Sequence, residues 1–273
     1  MRVRLGQCFL NSKKIVRKIV EAAGIQKEDV ILEVGPGRGI LTEELLKYAK
    51  KVIAVEKDKR LTDFLTVKFG PEIKRGSFIL IEGDIFKISN FQFLISKQIL
   101  NSKSQILNNY KIVANIPYYI TSRFLRNFLT AENQPQKMIL MLQKEVARRI
   151  CVKPPKMNLL AISVQAYGEP KILFNVPRKY FSPSPKVDSA VVKIENISKK
   201  FFHLQTRREK EFFKLVKTGF RHKRKLLLNN LRQFKDRQTL EEIFKHCEIP
   251  LKSRSENLSL SNWRCLRGVA PQS

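Results

Sequence analysis

A chain of 273 residues with 43% hydrophobic content has room for one large globular domain and a smaller one, and its charges are too well mixed with apolar positions for wholesale disorder. The excess of 53 Lys and Arg over 24 Asp and Glu, a formal net charge of +29, exceeds what solubility needs and calls for a polyanionic partner, nucleic acid first. The sequence has no run of about eighteen apolar residues, which excludes a spanning helix; residues 1–14 lack the apolar core of a secretory signal, so a cytoplasmic setting with no membrane partner is expected.

Leu5-Gly6-Gln7-Cys8-Phe9-Leu10 leads into a helix that Asn11 or Ser12 caps, with Ile15, Ile19, Val20 and Ala23 at helical spacing before Gly24. Val30-Ile31-Leu32 is an apolar run of the buried parallel-strand kind. It is followed by Glu33-Val34-Gly35-Pro36-Gly37-Arg38-Gly39 and an amphipathic helix through Leu41, Leu45 and Leu46. In such a strand, glycine loop and helix, the glycines admit close backbone approach and the helix start offers unpaired N–H groups. The spacing is G-x-G-x-G rather than G-x-G-x-x-G, so a pyrophosphate is not the expected occupant, and a plain tight turn is the other reading.

The next apolar run, Val52-Ile53-Ala54-Val55, ends at Glu56. That is about twenty residues past the glycines, where an acidic side chain takes a ribose diol in this architecture. A third run, Ser77 to Ile81, ends in Glu82-Gly83-Asp84-Ile85-Phe86. Asp84 has the position to accept from an adenine amino group and Ile85 offers an apolar wall, although Asp84 reads equally well as a turn former after Gly83. Residues 91–110 are polar and are expected as a short helix plus a solvated loop.

Ile112-Val113-Ala114 then delivers Asn115-Ile116-Pro117-Tyr118. Pro117 fixes its own φ, has no N–H to give, and pushes Ile116 toward extended geometry, so the segment is a stiff corner. The Asn115 amide oxygen and a backbone carbonyl can together accept both hydrogens of an exocyclic amino group while the Tyr118 ring stacks on the attached base. A strand-end proline turn is the plainer alternative.

Beyond the corner, residues 138–142 read as a fifth strand and 143–149 as a helix that Lys153-Pro154-Pro155 interrupts. Residues 159–166 read as a helix, and 171–174 and 190–194 as strands. Between those last two strands, Phe181-Ser182-Pro183-Ser184-Pro185-Lys186-Val187-Asp188-Ser189 is held extended by its prolines, with Phe181 either at the mouth of a site or packed in the core.

After residue 195 the charge density nearly doubles. Residues 196–273 carry a net +12 in 78 residues, against +17 in the first 195. The expected division is therefore a domain of residues 1–195 and a basic helical domain of residues 196–273. Four helices are expected in the latter, at 209–218, 223–234, 239–247 and 259–266, sharing a core of Phe212, Phe213, Val216, Leu227, Leu231 and Ile243. The run Arg221-His222-Lys223-Arg224-Lys225 is too dense for a face of alternating charge, and reads as phosphate contact by Arg221, Lys223, Arg224 and Lys225. Cys8, Cys151, Cys247 and Cys265 are scattered, show no C-x-x-C spacing, and form no zinc pattern with His203, His222 and His246. They are expected as reduced structural thiols, with no metal bound.

Taken together, Gly6-Gln7-x-Phe9-Leu10, Glu33-x-Gly35-x-Gly37-x-Gly39, Val55-Glu56, Gly83-Asp84, Asn115-Ile116-Pro117-Tyr118, Leu142-Gln143-Lys144-Glu145-Val146 and Phe181-x-Pro183-x-Pro185-Lys186-Val187-x-Ser189 resemble the KsgA (RsmA) small-subunit rRNA adenine dimethyltransferases. The resemblance continues into the tail as Phe220 to Lys225 and Arg254-x-Glu256-Asn257-Leu258-Ser259. It implies an α/β fold, the class I S-adenosylmethionine-dependent methyltransferase (Rossmann-like, with a mainly parallel seven-stranded sheet), followed by a small C-terminal all-α domain that grips rRNA.

It further implies cofactor contacts from Gln7, Cys8, Leu10, Gly35, Gly37, Glu56, Asp84, Ile85 and Asn115, with the target base held by Asn115, the Ile116 carbonyl, Pro117, Tyr118 and Phe181. The implied activity is N6,N6-dimethylation of two adjacent adenines in the 3′-terminal hairpin loop of small-subunit (16S) rRNA, by a monomer acting in maturation of the small ribosomal subunit. Position 8 departs from the family, which usually has Asn or His there; a backbone contact survives Cys8, a side-chain contact weakens. An Erm-type large-subunit enzyme and a non-catalytic rRNA-binding assembly or transcription factor are the alternatives.

Overall fold

The computed structural model describes residues 8–87, 110–202 and 206–269. Gln7, His203 and the expected loop at 91–109 lie outside the described residues. Inside them, β1 (Phe9–Leu10) precedes α1 (Lys13–Ala23), whose first turn is capped by the Ser12 hydroxyl accepting from the Ile15 N–H and whose end is set by Gly24 in the left-handed region. Then come β2 (Val30–Val34), α2 (Ile40–Leu45), β3 (Lys51–Glu56), α3 (Lys59–Lys68), α4 (Gly70–Lys74) and β4 (Phe78–Glu82). After β5 (Tyr110–Asn115), α5 (Thr121–Leu129) and β6 (Lys137–Gln143) follow α6 (Lys144–Ile150), α7 (Leu159–Gln165) and β7 (Glu169–Val176). β8 (Phe181–Ser182) and β9 (Ser189–Glu195) complete the strands; α8 (Thr206–Gly219), α9 (Leu227–Leu231), α10 (Arg237–His246) and α11 (Leu260–Cys265) follow.

The large sheet has seven strands in the order β4-β3-β2-β5-β6-β9-β7. β4, β3, β2, β5 and β6 pair in parallel, while β9 runs antiparallel to both β6 and β7. The mainly parallel seven-stranded sheet that the resemblance implied is what forms, and its unbroken apolar runs suit it, because strands covered on both faces need no polar alternation. Ile31, Val52, Ala54, Val113, Ile139, Met141 and Val191 lie in its core together with Ile15, Val16, Ile19 and Val20 of α1.

The chain divides into two compact units, one of residues up to Ala147 plus Glu169–Ile197, the other of Arg148–Gly168 plus residues from Ser198 onward. The helical unit therefore takes in Arg148–Gly168, which sequence order alone placed with the sheet. Three contacts within that unit show why. The Tyr167 hydroxyl donates to Glu209 at 2.7 Å, the Tyr167 ring lies 5.2 Å from that of Phe202, and Met157 N–H donates to the Glu256 carbonyl at 2.9 Å.

The unit's core is aromatic and apolar: Phe202, Phe212, Leu215, Val216, Leu227, Leu231, Leu240, Phe244 and Trp263 are all buried. Phe213 and Ile243, expected in this core, are only half-buried, since α10 turns Leu240 and Phe244 inward instead. The expected helix over 223–234 contracts to α9, and the basic run before it forms a turn. The expectation for the cysteines also needs correction: Cys247, which caps α10, and Cys265, which ends α11, are disulfide-bonded with Cα atoms 5.8 Å apart. They are 18 residues apart in sequence, and only the packing of the two helices brings them together. Cys8 and Cys151 are thiols.

Gly219 sits where a β-carbon would lie 2.4 Å from the Trp263 ring and 2.8 Å from Leu227. Since Trp263 is fully buried, nothing there yields cheaply. Gly219→Ala is expected to destabilise the helical unit by about 1–3 kcal/mol through overpacking, read as a lower thermal midpoint; an unchanged midpoint would mean that Trp263 repacks freely.

Candidate active site

In open α/β sheets ligands bind beyond the carboxyl ends of the strands, at the point where strand order reverses. Here that point lies between β2 and β5, because the chain leaves β2 to build β3 and β4 on one side and returns to build β5 and β6 on the other. The glycine loop follows β2 and Asn115 ends β5, so the two stretches singled out in the sequence flank the reversal. Glu56 ends β3, and Asp84 follows β4 by two residues. A β-carbon at Gly35 would stand 3.7 Å from Pro117 Cδ, which puts the glycine loop and the Asn115 corner in contact range.

The loop's backbone explains its glycines. Gly35 and Gly37 have φ of 71° and 59°, a region that other residues enter at a cost. A β-carbon on Gly37 would also stand 2.9 Å from the Phe9 ring. The Arg38 guanidinium lies 5.0 Å from the centre of that ring, so Phe9 is sandwiched over the loop. Residues Cys8 to Leu10 thus close over the glycines, held there by the antiparallel pairing of β1 with β8, Phe9 opposite Ser182 and Leu10 opposite Phe181.

That pairing corrects one expectation. Phe181 is 4% exposed and belongs to the sheet's core with Leu10, so it buttresses the N-terminal strand and does not present a free stacking face at a mouth.

Glu56 is 6% exposed, and three backbone N–H groups hold its carboxyl: Lys57 and Asp58 donate to Oε1 at 2.8 and 2.9 Å, and Gly37 to Oε2 at 3.3 Å. Burial raises its pKa and these donors oppose the rise. Oε1 already accepts two hydrogens, while Oε2, with one, keeps capacity for a further donor such as a ribose hydroxyl. Asp84 accepts from the Phe86 N–H at 3.0 Å and pairs with Lys57 at 3.0 Å; the N–H first, then Lys57, lowers its pKa, so it is a charged acceptor. Ile85 begins the turn after it. These donors and acceptors fit a nucleoside-bearing cofactor: an acid for a diol, an acid for an amino group, and a glycine cradle between them.

Asn115 pairs with Met141 across β5 and β6, and the Ile116 N–H donates to the Met141 carbonyl at 3.2 Å. The backbone of the corner is thereby fixed, while the Asn115 amide makes no hydrogen bond to a described residue. Pro117 has φ −55° and ψ 130°, and a single turn of 3-10 helix follows from Tyr118 to Ile120. Tyr118 is half-buried, and its hydroxyl shares a 2.9 Å hydrogen bond with the fully buried Ser189 hydroxyl. Burial pushes the phenol up, against the Ser189 bond, which keeps it neutral. Burial likewise raises the Cys8 thiol.

In the sequence Ser189 only closes the Pro-Lys-Val-x-Ser motif and Glu33 only opens the Glu-x-Gly-x-Gly-x-Gly motif, and Lys57 has no part. Glu33 is 1% exposed and accepts from the Thr42 hydroxyl at 2.7 Å. Burial pushes its pKa up to about 8, with the neighbouring Glu56 adding to the rise, so it is mostly protonated at neutral pH. The folded state therefore holds a proton that the unfolded chain releases above about pH 4.5. Stability contributed by Glu33 is lost as pH rises from there through 8. Glu33→Gln, which mimics the neutral acid, is expected to gain stability relative to the native protein between about pH 5 and 8, measured as urea midpoints. A difference that does not change with pH would show an ionised Glu33.

Residues 1–266 match the family described as ribosomal RNA adenine dimethylase. The chain belongs to that family. It is accordingly an S-adenosylmethionine-dependent methyltransferase acting on rRNA adenine. Among its relatives, the ribosomal RNA small subunit methyltransferase A of Dehalococcoides mccartyi is 42% identical over 269 residues, 97% of this chain and 87% of the relative. That of Enterococcus faecalis is 39% identical over 266 residues, covering 95% and 86%.

A dimethyladenosine transferase from Plasmodium falciparum superposes with a TM-score of 0.76 at 26% identity, covering 96% of this chain and 99% of that one. The 23S rRNA methyltransferase ErmE, with a TM-score of 0.72, 23% identity and the same coverage, shares the fold.

The basic run Arg221, Lys223, Arg224 and Lys225 is fully on the surface of the helical unit, in the turn between α8 and α9. Asn230 Nδ2 pins this turn by donating to the carbonyls of Gly219 at 2.6 Å and His222 at 3.2 Å. None of the four cations has an ion-pair partner among the described residues. The described residues hold no His, Cys, Asp and Glu cluster suited to a metal, and none of their helices is long and apolar enough to cross a membrane.

Proposed function

We propose that the chain dimethylates N6 of two adjacent adenines in the 3′-terminal hairpin loop of small-subunit rRNA, in the cytoplasm, as a monomer working on the immature small ribosomal subunit. The names of the curated relatives support the small subunit. The Asn115 corner beside the glycine loop, at the reversal of strand order, is the observation that carries the chemistry.

S-adenosylmethionine supplies an electrophilic methyl group. Cys8, Leu10, Gly35 and Gly37 would line its cradle, Glu56 would accept from its ribose, and Asp84 with Ile85 would meet its adenine; Gln7 is proposed beside them. An adenine N6 is a poor nucleophile because its lone pair is delocalised into the ring. Asn115 Oδ1 and the Ile116 carbonyl would accept its two hydrogens, which turns the lone pair toward the methyl group. The Tyr118 ring would stack on the base, its tilt set by the bond to Ser189. Phe181 would act from behind, holding Leu10 in place.

The contribution is position and electrostatics, worth about 7–11 kcal/mol in favourable cases. The methylated ammonium product is acidic and loses its proton to solvent, so no strong base is required. A loop adenine is a cheaper target than a paired one, because it must leave its stack.

The test is transfer of labelled methyl groups to unmethylated small subunits, large subunits and naked rRNA. Label confined to small-subunit rRNA is expected. Label on the large subunit would reassign the substrate, and none at all would favour a non-catalytic assembly factor.

A further inference from the structure

The helical unit holds a cavity of about 810 Å³ beside the basic turn. Arg221, Arg224, Lys225, Arg232 and Arg254 line it, and none of its lining residues is acidic. That much describes a site for anions. Three amides share the wall with those cations: Asn229, Asn230 and Gln233.

A phosphate alone needs neither such a volume nor such amides. Sites for ligands of nucleotide size span about 300–1,000 Å³, and an amide offers a donor and an acceptor side by side, the pattern that matches the edge of a base. Asn229, on α9, and Gln233, in the turn that follows it, are both exposed. Gln233 Nε2 donates to the Asn230 carbonyl at 3.3 Å, which leaves its side-chain oxygen to accept. Asn230 is 6% exposed, and its Oδ1 has no hydrogen-bond partner. Buried acceptors are seldom left unpaired, so this one calls for a donor. The lining contains no aromatic ring; a base lodged here would stack on guanidinium planes, as unpaired RNA bases do.

We infer that this cavity takes one unstacked nucleotide of the rRNA, separate from the adenine that is methylated, with its phosphate on the arginines and its base edge on Asn229 and Gln233. The inference rests on the proposed rRNA substrate. It makes the helical unit a reader of a base as well as a counter-charge to the backbone.

The test uses the full chain and an unmethylated small-subunit rRNA fragment, with affinity followed against salt. The double variant Asn229→Ala, Gln233→Ala removes no charge and leaves Asn230, which holds the turn, intact. It is expected to weaken binding about tenfold, the scale of one lost bidentate base contact, with the slope of log K against log salt unchanged. Arg254→Ala is expected to weaken binding and make that slope shallower by about 0.7.

S-adenosylmethionine affinity and the thermal midpoint check that both variants are folded. If the amide variant binds as tightly as the native chain while Arg254→Ala does not, the cavity holds phosphate only and the inference fails, with the rRNA reading intact. If neither change alters affinity, the inference fails together with the assignment of RNA binding to this face.

Discussion

Asn115→Ala lowers methyl transfer by about 10²–10³-fold, the loss seen when one preorganised hydrogen-bonding group is removed from a transition state, and leaves rRNA affinity unchanged. The side chain makes no hydrogen bond to a described residue, and the corner's backbone is held through Met141. The substitution therefore costs the fold little, within about 0.5 kcal/mol, as for a surface change away from special features. The defect belongs to chemistry. Single-turnover rates with saturating S-adenosylmethionine and RNA measure it, alongside cofactor affinity, since Asn115 is also proposed as a cofactor contact. Turnover close to that of the native chain would remove Asn115 from the reaction and return the corner to a proline turn.

Replacing Arg221, Lys223, Arg224 and Lys225 together by Ala acts on the other half of the problem. All four are exposed on one turn. Four lost phosphate contacts to unpaired RNA, at about 0.7 each, make the slope of log K against log salt shallower by about 3. Affinity near physiological salt falls by about 10²-fold on the same basis. Methyl transfer at saturating RNA persists, because none of these residues lies in the sheet unit. An unchanged slope would mean that the run faces away from RNA.

The two experiments differ in how far ahead their residues were readable. Glu56, Asp84 and Asn115 each end, or closely follow, an unbroken apolar run, and parallel strands bring such ends to one edge whatever the loops do. Their place was visible in one dimension. The basic run was visible as charge, but the expected helix over 223–234 was not what formed; Asn230 draws the carbonyls of Gly219 and His222 into a turn instead.

Composition and periodicity by themselves determined the buried apolar strands, the polar residues Glu56, Asp84 and Asn115 at or just past their ends, the glycine loop and the basic tail. Each follows from local rules: apolar runs bury, glycines enter left-handed backbone, and like charges in a row seek an anion. Tertiary structure alone decided what depends on residues far apart in the chain. It paired Phe9 and Leu10 with Ser182 and Phe181, which put the Phe181 ring in the core where the residues alone left core and site mouth both open.

It also joined Cys247 to Cys265, drew Arg148–Gly168 into the helical unit through Tyr167, and tied Tyr118 to Ser189. Contacts between distant segments are selected by the packing of the whole fold, so no window of the sequence contains them.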